Sequence, residues 1–129
     1  MYQKHPILPQ RLRRVPRRFS WVDHRLVSDS HIEHLSHAAA ALYLFLVTVG
    51  DHQGLSYYSD PGVAKRLGMD EGTLQQARSN LIQADLIAWE KPLYQVLSIQ
   101  VTPVSRVRGA QRPVHFSDIL KKLAGGSSD

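Results

Sequence analysis

Five arginines, Arg11, Arg13, Arg14, Arg17 and Arg18, fall within eight residues of a proline-containing stretch that includes Pro9 and Pro16. A guanidinium is a permanent cation with a planar fork of donors. A cluster of them suits phosphate oxygens or a narrow minor groove. If all five neutralise duplex phosphates, the logarithmic salt slope of binding is about −4 to −5. The plain alternative is a solvated charge run with no ligand. Arg106, Arg108 and Arg112 repeat the pattern near the other end, as a second phosphate clamp or as a polar linker. Lys91, beside Pro92, is a further candidate phosphate contact, with Glu90 next to it reducing the effect.

A different chemistry is offered by Thr73, Gln75, Gln76, Ser79 and Asn80. These are uncharged hydrogen-bonding side chains. The amides of Gln76 and Asn80 can bond the edge of adenine in a major groove. Asp70 and Glu71 stand just before them and repel phosphates. Arg78 is the lone cation in this stretch and occupies a position where an apolar residue is commoner.

Other chemistries find little support. His31, His34 and His37 are spaced three apart, but they lack the order of a helical zinc site, and Ser36 starts a new helix between them. They read as boundary histidines, and no metal or other cofactor is expected. There is no phosphate-cradling glycine loop and no nucleophile elbow, so no enzyme is expected. The absence of cysteine excludes disulfides and thiolate chemistry.

These side chains must be carried by specific elements. Residues 1–20 contain three prolines and no apolar period, which predicts an extended basic arm. Phe19, Trp21, Val22, Leu26 and Val27 are the expected anchors joining it to the body. Ser36 is a predicted N-cap for a helix in which Leu42, Phe45, Leu46 and Val49 share a face. Tyr43, Leu44 and Val47 make that helix apolar all round, as a central or interface helix is. A turn at Gly50–Gly54 leads to a short strand, Leu55–Tyr58. Ser59-Asp60-Pro61 opens a second helix, with Val63, Ala64 and Leu67 inward, that ends at Gly68. Asp70 caps a third helix with Leu74, Ala77 and Leu81 inward. Leu86–Trp89 and Leu93–Val101 form a hairpin about Glu90-Lys91-Pro92. In its second strand Leu93, Leu97, Ile99 and Val101 are expected on the covered side, with Gln95. Residues 103–129 read as a basic linker and a short helix over 117–123.

The chain has 129 residues, room for one domain with tails. Its longest charge-free apolar run, Ala38–Val49, is about half of the roughly 20 residues a membrane span needs. Residues 1–20 lack the apolar segment of a signal peptide, so a cytoplasmic location and no membrane partner are expected. The net charge is +5, but it is unevenly placed. Residues 1–25 carry +6, residues 26–100 carry −4 and residues 101–129 carry +3. The ends suit a polyanion, while the acidic middle does not.

Helix, short strand, helix, three-residue turn, helix and hairpin is the order of a winged helix-turn-helix. The fold class expected is α+β: a three-helix core with a small β-hairpin wing over 21–102, an arm at 1–20 and a tail at 103–129. Four segments carry a resemblance to the winged helix-turn-helix domains of bacterial and phage replication-initiator and mobile-element proteins. They are Leu42-Tyr43-Leu44-Phe45-Leu46, Asp51-His52-Gln53-Gly54, Ala64-Lys65-Arg66-Leu67-Gly68-Met69 and Ala84-Asp85-Leu86-Ile87. The resemblance covers about residues 35–100. It implies a non-catalytic DNA-binding protein of a mobile element, plasmid or phage, acting in replication, transposition or transcription control. It departs from the pattern at Asp70-Glu71-Gly72-Thr73, where such helices usually open with Ser and several cations. That departure keeps a second expectation open: a subunit of a larger DNA or RNA nucleoprotein, docking a protein partner or a second copy through its acidic face.

Overall fold

A computed structural model describes residues 3–100. Within them the protein is α+β, as expected, with four α-helices and a three-stranded antiparallel sheet. The elements in chain order are α1 (Arg25–Ser28), α2 (His37–Val49), β1 (Leu55–Tyr57), α3 (Asp60–Leu67), α4 (Glu71–Gln83), β2 (Ile87–Glu90) and β3 (Leu93–Val96). Single 3-10 turns occur at Pro9–Arg11 and His31–His34. The expected helix over 117–123 and the expected basic linker lie outside the described residues.

Each longer helix starts on a side chain that satisfies an otherwise unpaired backbone N–H. The Ser36 hydroxyl accepts from Ala39 N–H at 3.0 Å. The Ser59 hydroxyl accepts from Gly62 N–H at 3.2 Å, with Pro61 in the first turn of α3. The Asp70 carboxylate accepts from Thr73 N–H at 2.7 Å. Gly68 ends α3 in the left-handed conformation, φ +66°, so the chain reverses into α4 within Gly68-Met69-Asp70.

Strand β3 is central, with β1 and β2 on either side. Ser56, Tyr94 and Trp89 stand in register across the sheet, as do Leu55, Gln95 and Ala88. The covered face is the one bearing Tyr94, which is fully buried, whereas Gln95 is exposed. The expected alternation on Leu93, Gln95 and Leu97 is therefore a register error. Side chains alternate strictly in a strand, so one misplaced residue inverts the whole pattern. The strand also ends at Val96, so Ile99 reaches the core from outside the sheet.

The core joins Leu42, Tyr43 and Leu46 of α2 to Val63 of α3, Leu74, Ala77 and Leu81 of α4, and Leu86, Ile87 and Tyr94 of the hairpin. Helix α2 packs most extensively on α4 and also meets α3 and β3. This is why its sequence is apolar on several faces. Its outer face keeps Leu44 exposed. Of the expected arm anchors, only Leu26 is buried. Phe19, Trp21, Val22 and Val27 are exposed, and the arm's root is held instead by a 3.3 Å hydrogen bond from the Ser20 hydroxyl to the Thr48 carbonyl.

Candidate nucleic-acid interface

Helix α4 divides into two faces. Leu74, Ala77, Arg78 and Leu81 point into the body. Gly72, Gln75, Gln76, Ser79, Asn80 and Gln83 line a shallow open groove on the other side. The backbone that carries this groove is fixed at both ends, by the Asp70 cap and by the Leu86 N–H to Leu81 carbonyl bond at 3.0 Å.

The side chains of this face differ in what they are free to do. Gln75, Gln76, Ser79 and Gln83 are exposed, and none has a hydrogen-bond partner among the described residues. Asn80 is committed. Its side-chain oxygen accepts from Ser36 N–H at 2.7 Å, and its side-chain nitrogen donates to the His34 carbonyl at 3.2 Å. Thr73 is half-buried and turned to Asp70 through its backbone N–H and its hydroxyl. Gln83 was not among the residues singled out from the sequence. Its signal was present: it lies four residues after Ser79, away from the buried stripe.

Arg78 is not at the surface. Its guanidinium donates to Asp60 at 2.9 Å and to the Tyr94 hydroxyl at 2.8 Å, and it lies 3.7 Å from the centre of the Trp89 ring. Its side chain is 7% exposed and that of Asp60 is 20% exposed. Burial acts against the guanidinium charge, but the bonds to Asp60 and Tyr94 outweigh it and raise its proton affinity. The cluster ties the start of α3, the middle of α4 and the hairpin together.

The cations are elsewhere. Arg11, Arg13, Arg14, Arg17 and Arg18 are all exposed, and none is paired with a carboxylate among the described residues. Arg25, counted with the basic end of the sequence, is instead bonded to Asp23 at 2.7 Å. Lys91 is exposed in the two-residue turn between β2 and β3, with Glu90 exposed beside it. Lys65 and Arg66 are exposed in the last turn of α3, one turn before the reversal into α4. Arg106, Arg108 and Arg112 lie outside the described residues.

A cavity of about 610 Å³ sits between the root of the arm, the end of α2 and the chain leaving β3. Trp21, Tyr43, Val47 and Ile99 line it with Asp23 and Asp51. Its carboxylates are already engaged. The Arg25 guanidinium holds Asp23 down to about 2, and the backbone N–H groups of Leu55 and Gln53 hold Asp51 below its usual range. Carboxylates held this low are weak proton acceptors at neutral pH.

His31 and His34 lie in the 3-10 turn, while His37 begins α2. No group of three metal-ligating side chains converges among the described residues. No helix of the described residues is long and apolar enough to cross a membrane. Comparison with family models, with curated proteins and with solved structures gives no match.

Proposed function

We propose that this chain is a non-catalytic winged helix-turn-helix protein that binds duplex DNA. In this reading α3 and α4 are the helix-turn-helix pair, β2 and β3 are the wing, and α4 enters a major groove. The arginines of the arm neutralise phosphates or enter the adjacent minor groove, and Lys91 touches the backbone from the wing.

The observation that carries the reading is the outer face of α4. It is a row of exposed, uncharged hydrogen-bonding side chains on a helix fixed by its caps and by the hairpin that follows. A solvated helix face carries charged residues as a rule, and beyond Glu71 in its first turn this one carries none. The resemblance of residues 35–100 supports a role in replication, transposition or transcription control of a mobile element, plasmid or phage.

The electrostatic part falls to the arm. Asp70 and Glu71 put negative charge at the start of α4. The test is duplex affinity against salt for the full chain and for a variant with Arg11, Arg13, Arg14, Arg17 and Arg18 all changed to Gln. The full chain is expected to give a slope of about −5, and the variant, left with Lys91, a slope of about −1 with weaker binding. Equal slopes contradict the assignment of the arm.

A second reading is favoured by the same carboxylates. Asp70 and Glu71 are both exposed, and they suit a basic protein surface better than a phosphate backbone. The chain would then be the docking subunit of a larger nucleoprotein. Salt-insensitive, weak duplex binding by the intact chain is the result that selects it.

A further inference from the structure

We infer that α4 recognises adenine edges and that the target duplex is rich in A·T pairs. This inference rests on the duplex-binding reading above and adds the class of sequence it takes.

The major groove presents guanine as two acceptors, O6 and N7, which Arg or Lys reads by donating. It presents adenine as a donor, N6, beside an acceptor, N7, which an Asn or Gln amide matches with its own acceptor and donor. The side chains available on α4 decide between the two. Its one cation, Arg78, is held inside the body by Asp60, Tyr94 and Trp89. A guanidinium committed to those partners does not reach a guanine. Asn80 is spent on the backbone of Ser36 and His34.

What remains exposed is Gln75, Gln76, Ser79 and Gln83. Gln76, Ser79 and Gln83 follow one stripe, and Gln75 flanks it. A helix rises about 1.5 Å per residue, so Gln76 to Gln83 spans about three base-pair steps. Gln76 and Gln83 within that span, with Gln75 beside it, give the helix the bidentate match for adenine and leave it without the cationic bidentate match for guanine. The opposing feature is Glu71, one turn before Gln75, whose carboxylate accepts from a cytosine amino group.

The test measures affinity of the full chain for labelled duplexes of equal length in one buffer. One has an A·T core, one a G·C core, one an I·C core and one an A·T core built with 7-deazaadenine. Inosine keeps the guanine acceptors in the major groove but mimics adenine in the minor groove. The A·T core is expected to bind about tenfold or more tighter than G·C. I·C is expected to behave as G·C, and 7-deazaadenine to lose the preference. The triple variant Gln75→Ala, Gln76→Ala, Gln83→Ala is expected to bind all four alike while keeping its salt slope, with unchanged circular dichroism. Glu71→Gln is expected to keep the A·T preference.

Equal binding of A·T and G·C by the intact chain overturns the inference and leaves duplex binding standing. So does I·C behaving as A·T, which places the preference in the minor groove. A preference that survives in the triple variant, or one for G·C that Glu71→Gln removes, also overturns it. No binding to any duplex overturns the duplex reading and this inference with it.

Discussion

The Asn80 side-chain oxygen sits 2.7 Å from the Ser36 backbone nitrogen, joining the outer edge of α4 to the start of α2. The same amide donates to the His34 carbonyl at 3.2 Å, so both of its ends are occupied by backbone. Asn80→Ala is expected to destabilise the protein by about 1–2 kcal/mol, because two backbone groups lose a partner but remain near water. Denaturant unfolding checks this. The variant is expected to keep its duplex sequence preference, which separates Asn80 from the exposed glutamines.

Arg78 is the structural counterpart on the inner face. Arg78→Ala removes the partner of Asp60 and Tyr94 and the cation over Trp89. The expected loss is about 3 kcal/mol, the low end for breaking a buried pair because Asp60 keeps some contact with water. Arg78→Lys keeps the charge but loses the planar fork and the stacking, so it is expected to fall between the two. Equal stability of the alanine variant contradicts this role for the Arg78 cluster.

Much of this framework was legible in the residues. Ser36, Ser59 and Asp70 cap the helices where their types and positions suggested, and Gly68 takes the left-handed turn. Leu74, Ala77 and Leu81 mark the inner stripe of α4. The failures share a cause: they depend on contacts far apart in sequence. Asp60 and Tyr94, the partners of Arg78, come from two other elements, so its burial was invisible in the sequence of α4 alone. Asn80 read as a base contact because its partners, Ser36 and His34, precede it by more than forty residues. The parity of β3 is set by Tyr94 packing inward, and a run with apolar residues on both faces does not reveal which is covered. Phe19 and Trp21 stay exposed while the Ser20 hydroxyl between them bonds the Thr48 carbonyl of α2, a contact that local pattern does not encode.

Gly54, before β1, and Gly68, after α3, differ in what a side chain would meet. Gly54 has φ +81°, and a Cβ built there would lie 2.7 Å from the Val96 carbonyl oxygen. Gly68 has φ +66° with open space around it. Gly54→Ala is expected to cost about 2–3 kcal/mol, combining strain with displacement of the Val96 strand end. Gly68→Ala is expected to cost about 1 kcal/mol, from backbone conformation alone. Thermal or denaturant unfolding of both variants gives the order directly.

Acid is expected to destabilise the protein in a defined window. Folding lowers the proton affinity of Asp23 through Arg25, of Asp51 through the N–H groups of Leu55 and Gln53, and of Asp70 through Thr73. A carboxyl whose affinity falls on folding stabilises the protein above its unfolded value, here 3.8, and loses that contribution as pH drops. The melting temperature is therefore expected to be level between about pH 5 and about pH 9 and to fall from about pH 4 toward the folded Asp23 value of about 2. Asp51→Asn is expected to flatten part of the fall. A profile that stays level to pH 2 contradicts the assignment.

The outer face of α4 and the arginine arm are proposed to hold duplex DNA together. Titration of an unlabelled A·T-rich duplex into the 15N-labelled full chain, followed by backbone and side-chain amide resonances, reports on both surfaces at once. The shifts are expected to concentrate on Gln75, Gln76, Ser79 and Gln83 and on Arg11 to Arg18, with the Asn80 side-chain amide little changed. Shifts confined to the arm, or centred on Leu44 and Trp21 with α4 silent, would contradict joint binding by the two surfaces.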